Sequence, residues 1–198
     1  MAIIRMAVPA DADAMLEIYT PIVRNSCISF EEIPPSLKVF QQRIRETLRT
    51  HPWLVCENDT CILGYAYATP YRHRPAYRWT VETSVYIRPE FQRRGIARAL
   101  YTSLLELLRM LGFHNAVAIT ALPNEASTKL HQTIGFELVG TLKAAGFKLD
   151  GWHDTALWQY TLLRSTTSPV SQPITLEETQ ESPEWKRALA DGEKLLNI

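Results

Sequence analysis

Two hydrophobic periods alternate along the chain, and their order predicts a mixed α/β fold. Short apolar runs of period two read as strands: "AIIRMAV", "WLVCEN", "CILGYAYATPY", "WTVETSVYI", "NAVAIT", "FELVGTL" and "WHDTALWQYTL". Segments of period 3.6 lie between them. "PADADAMLEIYTPIVRNS" predicts a helix opened by Pro9 and an Asp cap, with Met15, Ile18, Tyr19 and Ile22 on one side. "PPSLKVFQQRIRETLRTH" predicts a second, with Leu37, Phe40, Ile44 and Leu48 facing inward. After Gly95, apolar residues at Ile96, Leu100, Leu104, Leu107, Leu108 and Leu111 share one helical face, and Gly112 is a natural stop. "PNEASTKLHQTIG" predicts a fourth helix, capped by Asn124 and ended by Gly135. The wholly apolar "NAVAIT" suits a central strand. Turns are expected around Asn58-Asp59 and at Asp150-Gly151.

The texture changes at Arg164. "RSTTSPVSQPITLEETQESPEW" is polar and proline-containing and reads as an extended tail. "PEWKRALADGEKLLNI" predicts a short terminal helix, with Trp185, Leu189 and Leu196 at roughly helical spacing. That apolar side needs a surface to cover it, on this chain or on a partner. The expected organisation is one domain over residues 1–164 and a C-terminal extension over 165–198.

Composition narrows the function. A chain of 198 residues with 46% hydrophobic and 21% charged residues can bury a proper core. Zero formal net charge gives no overall field toward nucleic acid or acidic membranes. No apolar run approaches a membrane span and the N-terminus lacks a signal-peptide core, so the expected location is the cytosol. Cys27, Cys56 and Cys61 fit neither a disulfide framework nor a zinc site and are expected as reduced thiols.

The chemistry concentrates in two stretches. In "FQRRGIARALY" a glycine among arginines opens a helix. The first turn of a helix leaves backbone N–H groups unpaired and carries partial positive charge. With Arg93, Arg94 and Arg98 this makes a site for a phosphate or pyrophosphate. An ordinary helix start with solvated arginines has the same composition, and context decides between them. Just upstream, alternation along "TVETSVYI" puts Val81, Thr83, Val85 and Ile87 on one face and Glu82, Ser84 and Tyr86 on the other. Partial desolvation would raise the Glu82 pKa and suit it to general-base work. Periodicity alone is equally compatible with a solvated glutamate; the strand's lead into the anion turn favours the base.

"VYIRPEFQRRGIARALY" resembles the acetyl-CoA-binding segment of the GCN5-related N-acetyltransferases, whose Gln/Arg-x-x-Gly-x-Gly/Ala pattern is met by Gln92, Arg93, Arg94, Gly95, Ile96 and Ala97. "ALPNEASTKLHQTIGF", "AAGFKLDGWHDTALWQ", "NSCISFEE" and "YRHRPAYRWTVETSVY" resemble the phosphinothricin N-acetyltransferase family, and the similarity runs from about Ile4 to Leu162. The resemblance implies a splayed, mostly antiparallel sheet flanked by helices, and usually a homodimer. Acetyl-CoA would sit in the splay, its pyrophosphate on the backbone amides of Arg93 to Arg98. Its pantetheine arm would pair with the backbone of Val85, Tyr86 and Ile87, with Asn124 and Ser127 on the far side. Glu82 matches the general base and His131 a family histidine near the acceptor; a hydrogen-bonded structural histidine fits that position equally. No metal is required.

For the acceptor, Arg72, His73, Arg74 and Arg78 stand among Tyr71, Tyr77 and Trp79. Guanidinium forks bind carboxylate, phosphinate or arsonate oxygens bidentately. By resemblance Arg72, Arg74, Tyr77 and Phe30 line the acceptor side. The implied substrates are phosphinothricin, methionine sulfone or sulfoximine, or arsinothricin, whose branch "YTPIVRNSCISFEE" especially resembles. Two other classes are open: a coenzyme-binding sensor without turnover, and a module holding RNA or single-stranded nucleic acid on the arginine-aromatic stretch. Zero net charge and a complete coenzyme pattern argue against the second.

Overall fold

The computed structural model describes residues 2–59, 61–164, 171–180 and 182–196. Seven strands form one sheet in the order β1-β2-β3-β4-β5-β7-β6. The strands are β1 (Ile3–Met6), β2 (Trp53–Glu57), β3 (Ile62–Pro70), β4 (Thr80–Ile87), β5 (Asn115–Ala121), β6 (Glu137–Lys148) and β7 (Gly151–Thr161). Every neighbouring pair is antiparallel except β4 and β5. Helices α1 (Ala12–Asn25) and α2 (Leu37–Thr47) cover one face. On the other lie α3 (Ile96–Met110), α4 (Glu125–Ile134) and, from the C-terminal region, the short α5 (Leu176–Thr179) and α6 (Pro183–Glu193).

Local sequence accounts for most of these elements. All six apolar positions expected on the inner face of α3 are buried, and Gly112 ends that helix at φ +85. Asn124 caps α4 by accepting from the Ser127 N–H at 3.0 Å, and Gly135 stops it at φ +103. Four expectations need correction. The tail is not extended throughout: Thr175 and Glu178 form a capping box that opens α5, and Leu176 is buried in the core. Leu37 lies outside the core at 42% exposure; the buried residues of α2 are Phe40 and Ile44, and Leu48 is partly buried against the same cluster. Asp11 does not cap α1 with its side chain; its carboxylate instead takes the Arg5 guanidinium and the Val8 N–H. The β6–β7 hairpin turns on Leu149 and Asp150, both at positive φ, and not on Asp150-Gly151.

The decisive feature is where β4 and β5 part. Their ladder holds for three pairs, Thr80 to Glu82 against Asn115 to Val117; beyond it they part, β4 staying paired with β3 and β5 with β7. At the fork the Thr83 hydroxyl donates to the Val117 carbonyl at 3.1 Å.

The expected terminal helix exists, and its cover is on this chain. Trp185 and Ala188 of α6 are buried against the α3 side of the core, and the Ser103 hydroxyl donates to the Leu189 carbonyl. Glu193 accepts the Ile4 N–H of the edge strand at 2.8 Å. Residues 165–170, part of the expected extended tail, lie outside the described residues.

Candidate active site

The parity of hydrogen bonding along β4 fixes which backbone groups are free. Tyr71 N–H donates to Thr80 O and Arg88 N–H to Leu63 O, and the β3–β4 register between them is unbroken. Antiparallel pairs alternate, so Thr80, Glu82, Ser84, Tyr86 and Arg88 turn their backbone toward β3. The backbone groups of Val81, Thr83, Val85 and Ile87 therefore point toward β5. Beyond Glu82 that neighbour is gone, so Val85 and Ile87 present theirs to the fork. Tyr86 differs from its neighbours: its backbone belongs to β3, and its ring packs edge-on against Tyr19 with centroids 5.1 Å apart.

The turn after β4 is built on two residues at positive φ, Arg93 at +62 and Gly95 at +82. Gly95 is the N-cap of α3 and no side chain caps the helix, so the N–H groups of its first turn, over Ile96, Ala97 and Arg98, lack intrahelical acceptors. Arg93, Arg94 and Arg98 are exposed around it, with Arg94 lying over the Phe91 ring at 5.2 Å. This is a concentrated donor site for an anion. A Cβ on Gly95 would stand 3.1 Å from the Leu195 carbonyl oxygen, so the C-terminal region backs the turn. Asn124 spends its side-chain oxygen on the α4 cap, which leaves its amide N–H groups as donors.

Glu82 lies on the opposite face from Thr83, beside β3 residue Thr69, its partner in the register. Partial burial raises its pKa above the ordinary carboxylate value of 4.5, and nearby Arg72 opposes that shift. Of the expected acceptor residues, Arg72 thus reaches the electrostatic neighbourhood of Glu82 while lying over the Tyr71 ring at 4.8 Å. Tyr77 packs edge-on against Tyr71, and Arg74 stands at the start of the same short turn, exposed. Phe30 projects from the α1–α2 loop, 40% exposed, against the β6–β7 hairpin. Lys148 of that hairpin fastens the loop by donating to the Ser29 carbonyl at 2.6 Å.

His131 is not brought to Glu82. It is 3% exposed on the α3 face, stacked on Trp158 with centroids 5.7 Å apart. Its Nδ1 lies 2.7 Å from the Ser127 carbonyl, which can only accept, so Nδ1 carries the proton. Nε2 then accepts from the Tyr101 hydroxyl at 3.2 Å, and that hydroxyl lies 3.4 Å from Thr83 Oγ1. Burial lowers the His131 pKa and keeps the ring neutral.

Two cavities flank these groups. An open cleft of about 760 Å³ runs along α4 past Asn124, Thr128 and Asp154. A smaller cavity of about 200 Å³ lies under α1 and α2 on the Glu82 face, reaching Trp53, Tyr67 and Thr69. The sequence reading missed the second. Its one sequence signal is the pair of period-two aromatics Tyr65 and Tyr67 in the strand segment "CILGYAYATPY". Among the described residues no cluster of His, Cys, Asp and Glu could hold a metal ion, and no helix is long and apolar enough to cross a membrane.

A sheet forked beside an uncapped, arginine-ringed helix start can take an extended chain in the fork and a phosphate at the helix, and comparison with known proteins says which family is built this way. The acetyltransferase (GNAT) domain family matches residues 4–157, and the chain belongs to that family. A phosphinothricin N-acetyltransferase of Streptomyces viridochromogenes is 39% identical over 156 residues, covering 79% of this chain and 85% of that protein. The L-methionine sulfoximine/L-methionine sulfone acetyltransferase of Salmonella typhimurium is 32% identical over 80% of this chain and 94% of its own. Among solved structures, a phosphinothricin acetyltransferase from Sinorhizobium meliloti in complex with acetyl-CoA superposes with a TM-score of 0.82 at 37% identity, covering 86% of this chain and 93% of that one.

Proposed function

We propose that the protein transfers the acetyl group of acetyl-CoA to the α-amine of a small amino acid analogue with an oxygen-rich end: phosphinothricin, arsinothricin, or methionine sulfone or sulfoximine. One observation carries the reading. A partly desolvated carboxylate, Glu82, stands three residues ahead of free strand backbone that leads into an anion-binding helix start. The names of the relatives supply the acceptor class.

Glu82 accepts a proton from the incoming ammonium, directly or through one water, because an amine attacks a thioester only when neutral. The free nitrogen adds to the thioester carbonyl, and the N–H of Val85 donates to the oxygen as it turns negative. Collapse forms the amide and expels the thiol, protonated at the expense of the nitrogen. The first-turn N–H groups of α3, with Arg93, Arg94 and Arg98, hold the pyrophosphate. Val85 and Ile87 hydrogen-bond the pantetheine arm from one side of the fork, and Asn124 and Ser127 line the other. Arg72 and Arg74 hold the acceptor's carboxylate, with Tyr77 and Phe30 beside them. His131 acts from behind the sheet, holding Tyr101 and Thr83 in place.

Homodimerisation is part of this reading. The β6–β7 hairpin exposes Leu138, Val139, Leu142, Phe147 and Trp152 at 54–68%, a run of large apolar side chains that invites cover. The enzyme would work in the cytosol as a detoxifying or resistance function. Thiol release from acetyl-CoA against a panel of amino acid analogues, polyamines and protein lysines tests the proposal. Selective turnover of the oxygen-rich amino acids is expected; equal turnover of the cationic amines would overturn it.

A further inference from the structure

The cavity beneath α1 and α2 has a chemistry that the fold alone does not use. Trp53 of β2 lines it and is 2% exposed, and among the described residues nothing accepts a hydrogen bond from its indole Nε1–H. Natural cores rarely leave a buried donor unpaired. The ring cannot swing out to water, because it stacks on Tyr67 at 4.1 Å between centroids and meets Phe40 edge-on at 5.8 Å. A second donor lines the same space: Arg43 of α2, half-buried and steadied by Glu31 at 2.5 Å. Glu46 also borders the cavity, with Oε1 engaged by the Gln42 side chain at 2.7 Å.

Position ties this cavity to the reaction. Thr69 lines it and is the register partner of Glu82; Tyr67 lines it and is the partner of Ser84. Directly opposed residues on antiparallel strands share a face with Cβ atoms about 5 Å apart. The cavity therefore opens on the same face as the Glu82 carboxylate, one strand away. Its volume, about 200 Å³, equals roughly seven waters at about 30 Å³ each. That admits a short side chain and excludes a polypeptide.

Resting on the acetyl-transfer reading above, we propose that this cavity is the subsite for the acceptor's side chain, with Trp53 Nε1–H and Arg43 donating to the oxygens of a sulfone, sulfoximine or phosphinate end group. In an α-amino acid the amine and the carboxylate leave the same carbon. With the amine at Glu82, the carboxylate falls to the cation beside it, Arg72. The side chain must then leave in a third direction, and the cavity across Thr69 lies there. The Trp53 N–H is a donor that a purely apolar side chain would leave unpaired, so the subsite selects for oxygen.

Two measurements test this. In protein labelled with ¹⁵N at tryptophan, the Trp53 indole resonance is identified by cross-relaxation with the Tyr67 ring and by its absence in Trp53→Phe. Titration with L-methionine sulfone should move that resonance downfield and saturate; an unmoved indole under saturating sulfone overturns the subsite. In the second, Trp53→Phe should cut the preference for methionine sulfone over methionine, in kcat/KM, by about tenfold, the order expected for one hydrogen bond, with the acetyl-CoA KM unchanged. An unchanged preference overturns it too. A wild-type enzyme that acetylates no amino acid would sink the acetyl-transfer reading instead. The indole titration, which needs no turnover, would still decide whether the cavity takes an oxygen-bearing side chain.

Discussion

Glu82 carries a conflict between stability and chemistry. Burial raises its pKa, so the ionised carboxylate is less favourable in the folded state than in water. The sign follows: a carboxyl whose folded pKa exceeds its unfolded value costs stability above both values, and the cost disappears below the lower one. Glu82→Gln should therefore raise the thermal midpoint at pH 7 slightly, and much less at pH 4. The same substitution should lower kcat by about 10²–10⁴-fold, the usual contribution of a general base. Wild-type kcat/KM should fall with acid through an inflection above pH 4.5, and that inflection should vanish in Glu82→Gln. A variant with unaltered rate and pH profile would remove Glu82 from the mechanism. The residue type and its strand position were legible in the sequence. Its desolvation was not, because the residues that bury it come from β3 and the neighbouring loop.

At the scale of elements, the β4–turn–α3 unit depends on one backbone conformation. Gly95 sits at φ +82, which an L side chain enters at a cost of about 1–2 kcal/mol. Valine there would also press on the Leu195 carbonyl. The turn should relax away from its donor geometry, and strain of about 1–2 kcal/mol corresponds to roughly tenfold in an equilibrium constant. Gly95→Val should thus raise the acetyl-CoA dissociation constant by about that factor or more in calorimetry, while the β-rich circular dichroism persists. Unchanged affinity would take the turn out of the coenzyme site. Sequence alone placed a glycine among arginines where a helix opens. The structure adds two causes internal to the protein, the left-handed φ and the C-terminal chain behind it.

Across the whole molecule, the C-terminal region is built into the core that carries the site. Trp185, 2% exposed, and Leu176 lie in the cluster formed by α3 and the central strands. The same region also reaches the loop ahead of β4, where the Trp79 indole donates to the Ser171 carbonyl at 2.9 Å. Trp185→Ala should cost about 3–5 kcal/mol in urea denaturation, a large share of the roughly 5–15 kcal/mol that holds a typical domain. A loss below about 1 kcal/mol, the median for any substitution, would mean that α6 contributes little to the fold. From spacing, the terminal helix was legible; the surface it covers was not, because the α3 residues it meets, Ala99 and Ser103, are small or polar and lie outside the apolar stripe.

The sequence by itself determined the elements and their order, since hydrophobic period, caps and glycine stops act within a few residues. It also placed a glycine and three arginines at a helix start, because those residues are contiguous. Tertiary structure alone decided three things. The parting of β4 from β5 depends on a ladder between strands 28 residues or more apart and leaves no local mark. The faces of Glu82 and His131 were settled when the sheet came between them, leaving one beside the cavity and the other tied to Tyr101. The cavity under Trp53 exists only where two helices and two strands fail to close completely, a property of packing that no single segment encodes.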